Sequence, residues 1–174
     1  MRSTGWQQLR AVFGGLVGAL TLVGGLTWLL LNLNGPHPAL DALVGVVFAA
    51  GGLVLLMPHR IRLPGLVTSA AAAGAGLGGT AVGLVAGSAQ LCCAFAYAMA
   101  RGWPFHWVQR GAVADDPDNA RRLALGADWQ VDVVGLIGNL VFWAYAGMLI
   151  VAAVGLARRT AADRGARRAQ VPPR

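Results

Sequence analysis

Apolar residues lie in long runs without charges, which is the mark of lipid as solvent. The first run is Ala11 to Leu31, bounded by Arg10 and by the polar stretch Asn32-Leu33-Asn34-Gly35-Pro36-His37-Pro38. Its two prolines and two asparagines predict a turn. The second run, Ala39 to Met57, has Asp41 near its start and closes on Pro58-His59-Arg60-Ile61-Arg62. The last, Val133 to Leu156, lies between Asp132 and Arg158-Arg159. Each reaches the ~20 residues that cross about 30 Å of hydrocarbon.

The stretch between them is longer than one span. No charge occurs from Leu63 to Ala100, which would measure about 57 Å as a single helix. It reads either as one long tilted helix with an extended lead-in or as two short spans broken near Gly74-Ala75-Gly76-Leu77-Gly78-Gly79. Charge decides between them. With four spans and the N-terminus inside, the inner side holds Arg2, Arg10, Arg60, Arg62, Arg158, Arg159, Arg164, Arg167, Arg168 and Arg174 against Asp163, a net +9. The outer side holds Arg101, Arg110, Arg121 and Arg122 against Asp41, Asp115, Asp116, Asp118, Asp128 and Asp132, a net −2. That is the positive-inside pattern; five spans would put the Arg-rich tail outside, against it.

The expected fold is therefore all-α: a four-helix transmembrane bundle, N-in and C-in, with spans near 11–31, 39–57, 66–100 and 133–157. Residues 1–160 form a single transmembrane domain. The outer loop 101–132 carries a short helix, and 161–174 is a basic cytoplasmic tail, disordered or a frayed helical extension near anionic lipid. In the loop, Asp116 as N-cap, Pro117 at the first helical position and Asp118 in the first turn predict a helix over 117–125. The first run is too long for a signal-peptide core and no A-x-A site follows it, so it is read as a span. Trp28, Trp103, Trp107 and Trp129 fall at the outer interface, where amphipathic rings collect, and Trp6 at the inner one.

Composition agrees: 56% of the 174 residues are hydrophobic and 12% charged, about half the charge of a soluble domain. The net charge is +7, yet the basic residues end apolar runs instead of forming one exposed face, which argues against nucleic acid. All 14 basic residues are Arg, which with abundant Ala and Gly points to a GC-rich bacterium and its inner membrane. The expected partners are the bilayer, with anionic lipid at the cytoplasmic side, and a second copy or another membrane protein.

Helix packing is assigned to small residues, which let backbones approach. Gly79, Gly83 and Gly87 recur every four residues in the third run, and Gly14 with Gly18 in the first. Gly-Gly pairs at 14–15, 24–25, 51–52 and 78–79 are read as kink positions or as composition.

Candidate chemistry is sparse. The deep parts of the runs lack Asp, Glu, His, Lys and Arg, which counts against a proton-coupled transporter. Gln90 and Asn139 fall at similar depth if both are helical, and predict an interhelical amide pair. Cys92 and Cys93 are adjacent, fit no zinc or CxxC spacing, and read as small buried hydrophobes. His37, His106, Asp41 and Asp132 share the outer side without a spacing motif for a metal, and the Asp115–Asp118 acids lack the calcium-loop pattern. No covalent-catalysis or phosphate-binding motif occurs, and no cofactor is implied. The leading function is a non-enzymatic accessory or scaffold subunit. Behind it stand an oligomeric transporter or channel lined by Thr80, Ser88, Gln90, Asn139, Trp143 and Tyr145, and an outer-face lipid enzyme using His37, His106 and the outer aspartates.

Overall fold

The computed structural model describes residues 3–35, 37–57, 65–92 and 95–169. In chain order the elements are α1 (Ser3–Asn32), α2 (Pro38–Leu56), α3 (Gly65–Gly83), β1 (Gly87–Cys92), β2 (Ala96–Arg101), β3 (Val108–Val113), α4 (Pro117–Gly126), β4 (Gln130–Val131) and α5 (Val133–Ala169). The chain is mostly helical. Four helices are long and apolar enough to cross a membrane, over Val12–Asn32, Pro38–Leu56, Gly65–Gly83 and Val133–Ala161.

Two expectations are corrected. The chain is not all-α, and the third long helix does not reach residue 100. Nineteen residues carry α3 to Gly83, about 28 Å at helical rise, so a span is already complete there. Most of the described uncharged residues beyond it lie in β1 and β2, and β1 to β4 make one antiparallel sheet in sequential order. Of the two forms expected for the tail, the helical extension is the one seen over 161–169, since α5 continues to Ala169, while 170–174 lies outside the described residues. So do Arg60 and Arg62 of the expected inner loop.

The chain divides into two compact units. One comprises residues 1–72 and 145–174, the other 73–144. In the first, α1 and α2 pack as an antiparallel pair along a glycine seam. A Cβ on Gly25 would stand 2.5 Å from the Ala49 nitrogen and 2.7 Å from the Gly45 oxygen. One on Gly52 would stand 2.6 Å from the Gly18 oxygen and the Leu22 nitrogen. Gly18 and Gly25 are seven residues apart, as are Gly45 and Gly52, so both contacts stay on one face of each helix. Gly14 meets nothing within 4 Å, so of the expected pair only Gly18 lies on the seam. The opposite face of α1 is apolar and open: Val12, Leu16, Leu20, Val23 and Leu30 are between 57% and 74% exposed. A helix that packs on Gly18 and Gly25 and leaves Leu16, Leu20 and Leu30 outward inverts the water-soluble pattern.

Tyr145 of α5 closes this unit. Its ring covers Gly51 and meets Phe48 edge-on at 6.1 Å. Its hydroxyl is 3.1 Å from Thr21 Oγ1, which itself donates to the Val17 carbonyl at 2.8 Å. The Thr21 oxygen therefore accepts from Tyr145, and both hydroxyls are satisfied in an apolar setting.

In the second unit the β1–β2 register pairs Gly87 with Arg101 and Leu91 with Tyr97. The β2–β3 register pairs Met99 with Arg110. Alternation along the strands puts Gly87, Ala89, Met99, Arg101 and Arg110 on one face and Ser88, Gln90, Ala98 and Ala100 on the other. The α4 helix packs on β2 and β3 through fully buried Ala120 and Ala124. It begins as the sequence predicts: Asp116 caps it by accepting from the Asn119 N–H at 2.8 Å, with Pro117 following.

Candidate functional site

The best-defined polar construction is the loop 102–107 and the helix residues that hold it. The loop leaves β2 through Gly102, whose φ of +120° is open to glycine; a Cβ there would stand 2.5 Å from the Trp107 ring. Two backbone bonds close the loop, Gly102 N to the Ala86 oxygen and Trp107 N to the Arg101 oxygen, both 3.0 Å. The Trp103–Pro104 peptide within it is cis.

Small residues on two helices receive this loop. Gly83 of α3 lies under the Trp103 carbonyl, with only 2.8 Å left for a Cβ, and Gly138 of α5 under the Phe105 ring. Gly79 faces the Trp143 ring and Gly135 the His106 carbonyl. The Trp143 indole donates to the Trp103 carbonyl at 3.3 Å. The Trp103 ring packs against Phe142 and Trp143, at 5.6 and 5.5 Å between centroids.

Asn139 fixes the loop backbone directly. It is fully buried. Its Oδ1 accepts from the Phe105 N–H at 3.3 Å, and its Nδ2 donates to the Phe105 carbonyl and, at 3.0 Å, to the Gly135 carbonyl. One amide thereby pairs with both main-chain groups of a loop residue, as a neighbouring strand would.

Beside the loop stands a cluster of arginines and tryptophan. The guanidiniums of Arg101 and Arg110 approach the Trp129 ring at 5.1 and 4.4 Å. Arg110 also donates to the Leu125 carbonyl at 3.0 Å, near the end of α4, where the exposed carbonyls of a helix favour a cation. It reaches Met99 Sδ at 3.7 Å as well. Among the described residues no carboxylate lies within ion-pair distance of Arg101 or Arg110, so ring faces, a carbonyl and a sulfur take the place of a counter-ion.

The other expected residues fall as follows. Gln90 is exposed on β1, paired across strands with Ala98, while the Asn139 amide is occupied by Phe105 and Gly135; the two are not brought together as a pair. Gly87 opens β1 and is no part of a helix stripe. Trp28 is half-buried on α1. The Trp107 indole nitrogen is buried with no partner among the described residues, as is the Thr80 hydroxyl. Trp129 is a partner of two cations as well as a 38% exposed surface residue. Asp132 caps α5, accepting from the Val134 N–H at 2.9 Å. The His37 carbonyl receives the N–H groups of Leu40 and Asp41. His106 Nε2 lies 3.2 Å from Ser88 Oγ. Among the described residues no three His, Cys, Asp or Glu side chains gather into a metal site. Cys92 ends β1, and Cys93 lies outside the described residues.

Sequence reasoning missed Arg110, the Trp129 contacts and the Asn139–Phe105 pairing. The first two carry a signal in retrospect, since Arg101 and Arg110 share a sheet face once the strands are recognised. The third carries none, because the partner is backbone. No protein-family model, curated protein or solved structure matches the chain.

Proposed function

We propose that this protein is a four-span integral membrane protein of a bacterial inner membrane, with both termini in the cytoplasm. In this reading it is a non-enzymatic accessory or scaffold subunit. The sheet and α4 form a preshaped module presented on the outer side between the third and fourth spans.

The observation that carries the membrane part is the inverted helix pattern: Gly18, Gly25, Gly45 and Gly52 form the seam between α1 and α2, while Val12, Leu16, Leu20, Val23 and Leu30 of α1 are exposed. Such surface is stable in hydrocarbon and a liability in water. The scaffold part is supported by how the polar groups of the module are used. Asn139, Trp143 and Arg110 all bond to main-chain carbonyls that set the shape of the loop and α4. A rigid, aromatic-rich shape is what a docking element needs.

The test is in-cell crosslinking followed by purification in gentle detergent and mass spectrometry. The account expects one stoichiometric complex, homomeric or with a membrane partner, that is lost when residues 87–131 are replaced by a flexible linker. Recovery of monomer alone would contradict it.

One observation favours the lipid-enzyme reading, the Ser88–His106 hydrogen bond. A serine activated by a histidine is a nucleophile for acyl transfer. Labelling of Ser88 by a fluorophosphonate, abolished by His106→Gln, would support that chemistry; absence of labelling removes it.

A further inference from the structure

The face of the sheet that α4 covers over β2 and β3 continues onto β1 as an open groove of about 360 Å³. It is lined by Leu84 and Val85 after α3, by residues 87–89 of β1, among them Ser88, and by Met99, Ala100 and Arg101 of β2. Among the described residues no acidic side chain lines it. Val85 is 90% exposed, and Val82, in the last turn of α3, is 69% exposed.

Arg101 differs from Arg110 in what its guanidinium does. Arg110 hydrogen-bonds a carbonyl and a sulfur. Arg101 meets only the Trp129 ring among the described residues. A ring against a guanidinium face leaves the in-plane N–H donors available, and those donors match the two oxygens of a phosphate. The position along the chain matters equally. Arg101 pairs with Gly87, four residues beyond the end of α3 at Gly83. The cation is therefore at the end of the sheet next to the end of a helix long enough to span. Leu84 and Val85 lead from it toward exposed Val82.

We propose that this groove binds one anionic phospholipid, with its phosphate on the Arg101 guanidinium and an acyl chain along Leu84, Val85 and Val82. The assignment rests on the four-span reading, which puts the end of α3 at the headgroup layer. Charge selects the lipid class. The phosphate is satisfied by Arg101, but an ammonium of a zwitterionic headgroup finds no carboxylate among the described residues that line the groove. The Trp129 ring acts by holding the guanidinium in place and does not itself contact the phosphate.

The test uses the full-length protein in nanodiscs of mixed phosphatidylglycerol and phosphatidylcholine, read by native mass spectrometry after release of the disc. The wild type is expected to retain one phosphatidylglycerol in preference to phosphatidylcholine. Arg101→Gln should lower that preference by about tenfold, the loss of one charge-assisted contact. Arg121→Gln, which changes an exposed charge on α4, should not lower it, and Val85→Asn should weaken retention of both lipids. Wild-type retention in Arg101→Gln would overturn the proposal. So would sn-glycerol 3-phosphate or inorganic phosphate binding in an Arg101-dependent way as tightly as the lipid, which would make this a site for a soluble phosphate. Extraction of the protein from membranes by alkaline carbonate would sink the four-span reading itself. A protein that resists extraction yet shows no phosphatidylglycerol preference would sink the lipid site alone.

Discussion

Asn139 offers the sharpest perturbation. Asn139→Leu keeps the size of the side chain and removes its hydrogen bonds to Phe105 and Gly135. The Gly135 carbonyl keeps its helical partner, while the N–H and C=O of Phe105 each lose the Asn139 amide in a part-buried loop. Removing one hydrogen-bond partner of a buried polar group costs about 1–3 kcal/mol. Loss of the amide, partly offset by the apolar gain of leucine, predicts a destabilisation of about 1–3 kcal/mol. An ordinary polar contact between membrane helices contributes only about 0.6 kcal/mol on average, so magnitude separates a loop clamp from diffuse glue. Thermal melting in detergent, followed by tryptophan fluorescence, reads the size of the effect. Amide hydrogen exchange reads its location, which should be residues 102–107 while α1 and α2 stay protected. Asn139→Asp retains the acceptor for the Phe105 N–H but loses both donors and buries a charge, so it should be at least as damaging. Unchanged melting together with unchanged exchange at Phe105 would refute the clamp.

The other predictions concern the helix seam, the Tyr145 contact and the α4 cap. Gly52→Ala places a methyl against the backbone of α1 and should destabilise by about 1–3 kcal/mol in detergent-unfolding titrations, whereas Gly14→Ala faces open space and should be neutral or slightly stabilising; equal effects would discredit the seam. Tyr145→Phe and Thr21→Val should each cost about 0.5–1.5 kcal/mol. The double variant should cost clearly less than their sum, and strict additivity would show that the hydroxyls do not interact. Asp116→Ala should cost about 1 kcal/mol, seen as faster exchange in the first turn of α4, and no change there would rule out the cap.

How much was legible follows from what each pattern encodes. The runs that became α1, α2 and α5 are long, uncharged and flanked by arginine or turn residues, and hydropathy alone places them. The α4 start was legible because Asp116-Pro117 is a local signal that needs no tertiary partner. The sheet was not, because Gly87-Ser88-Ala89-Gln90-Leu91-Cys92 and Ala96-Tyr97-Ala98-Met99-Ala100-Arg101 carry no charge before Arg101 and no β-branched residue, so hydropathy merged them with α3. Two signals were nonetheless present. One was the 57 Å that a single helix would need, about twice the hydrocarbon thickness. The other was the alternation of Ser88 and Gln90 with apolar neighbours, a period of two. The Gln90–Asn139 pairing failed with the helix, since it assumed helical rise on both sides. The glycine seam was visible as pairs at 24–25 and 51–52, but only the seven-residue spacings Gly18–Gly25 and Gly45–Gly52 distinguish contacts from kinks.

The four-span reading with the module outside is tested most directly by cysteine accessibility in intact bacterial cells. In a background where Cys92 and Cys93 are replaced by alanine, Asp118→Cys on the exposed side of α4 and Arg164→Cys on the exposed side of α5 are probed with a membrane-impermeant maleimide. The account predicts labelling at position 118 without permeabilisation, and labelling at position 164 only after it. The reverse pattern, or equal labelling of both positions in intact cells, would contradict it.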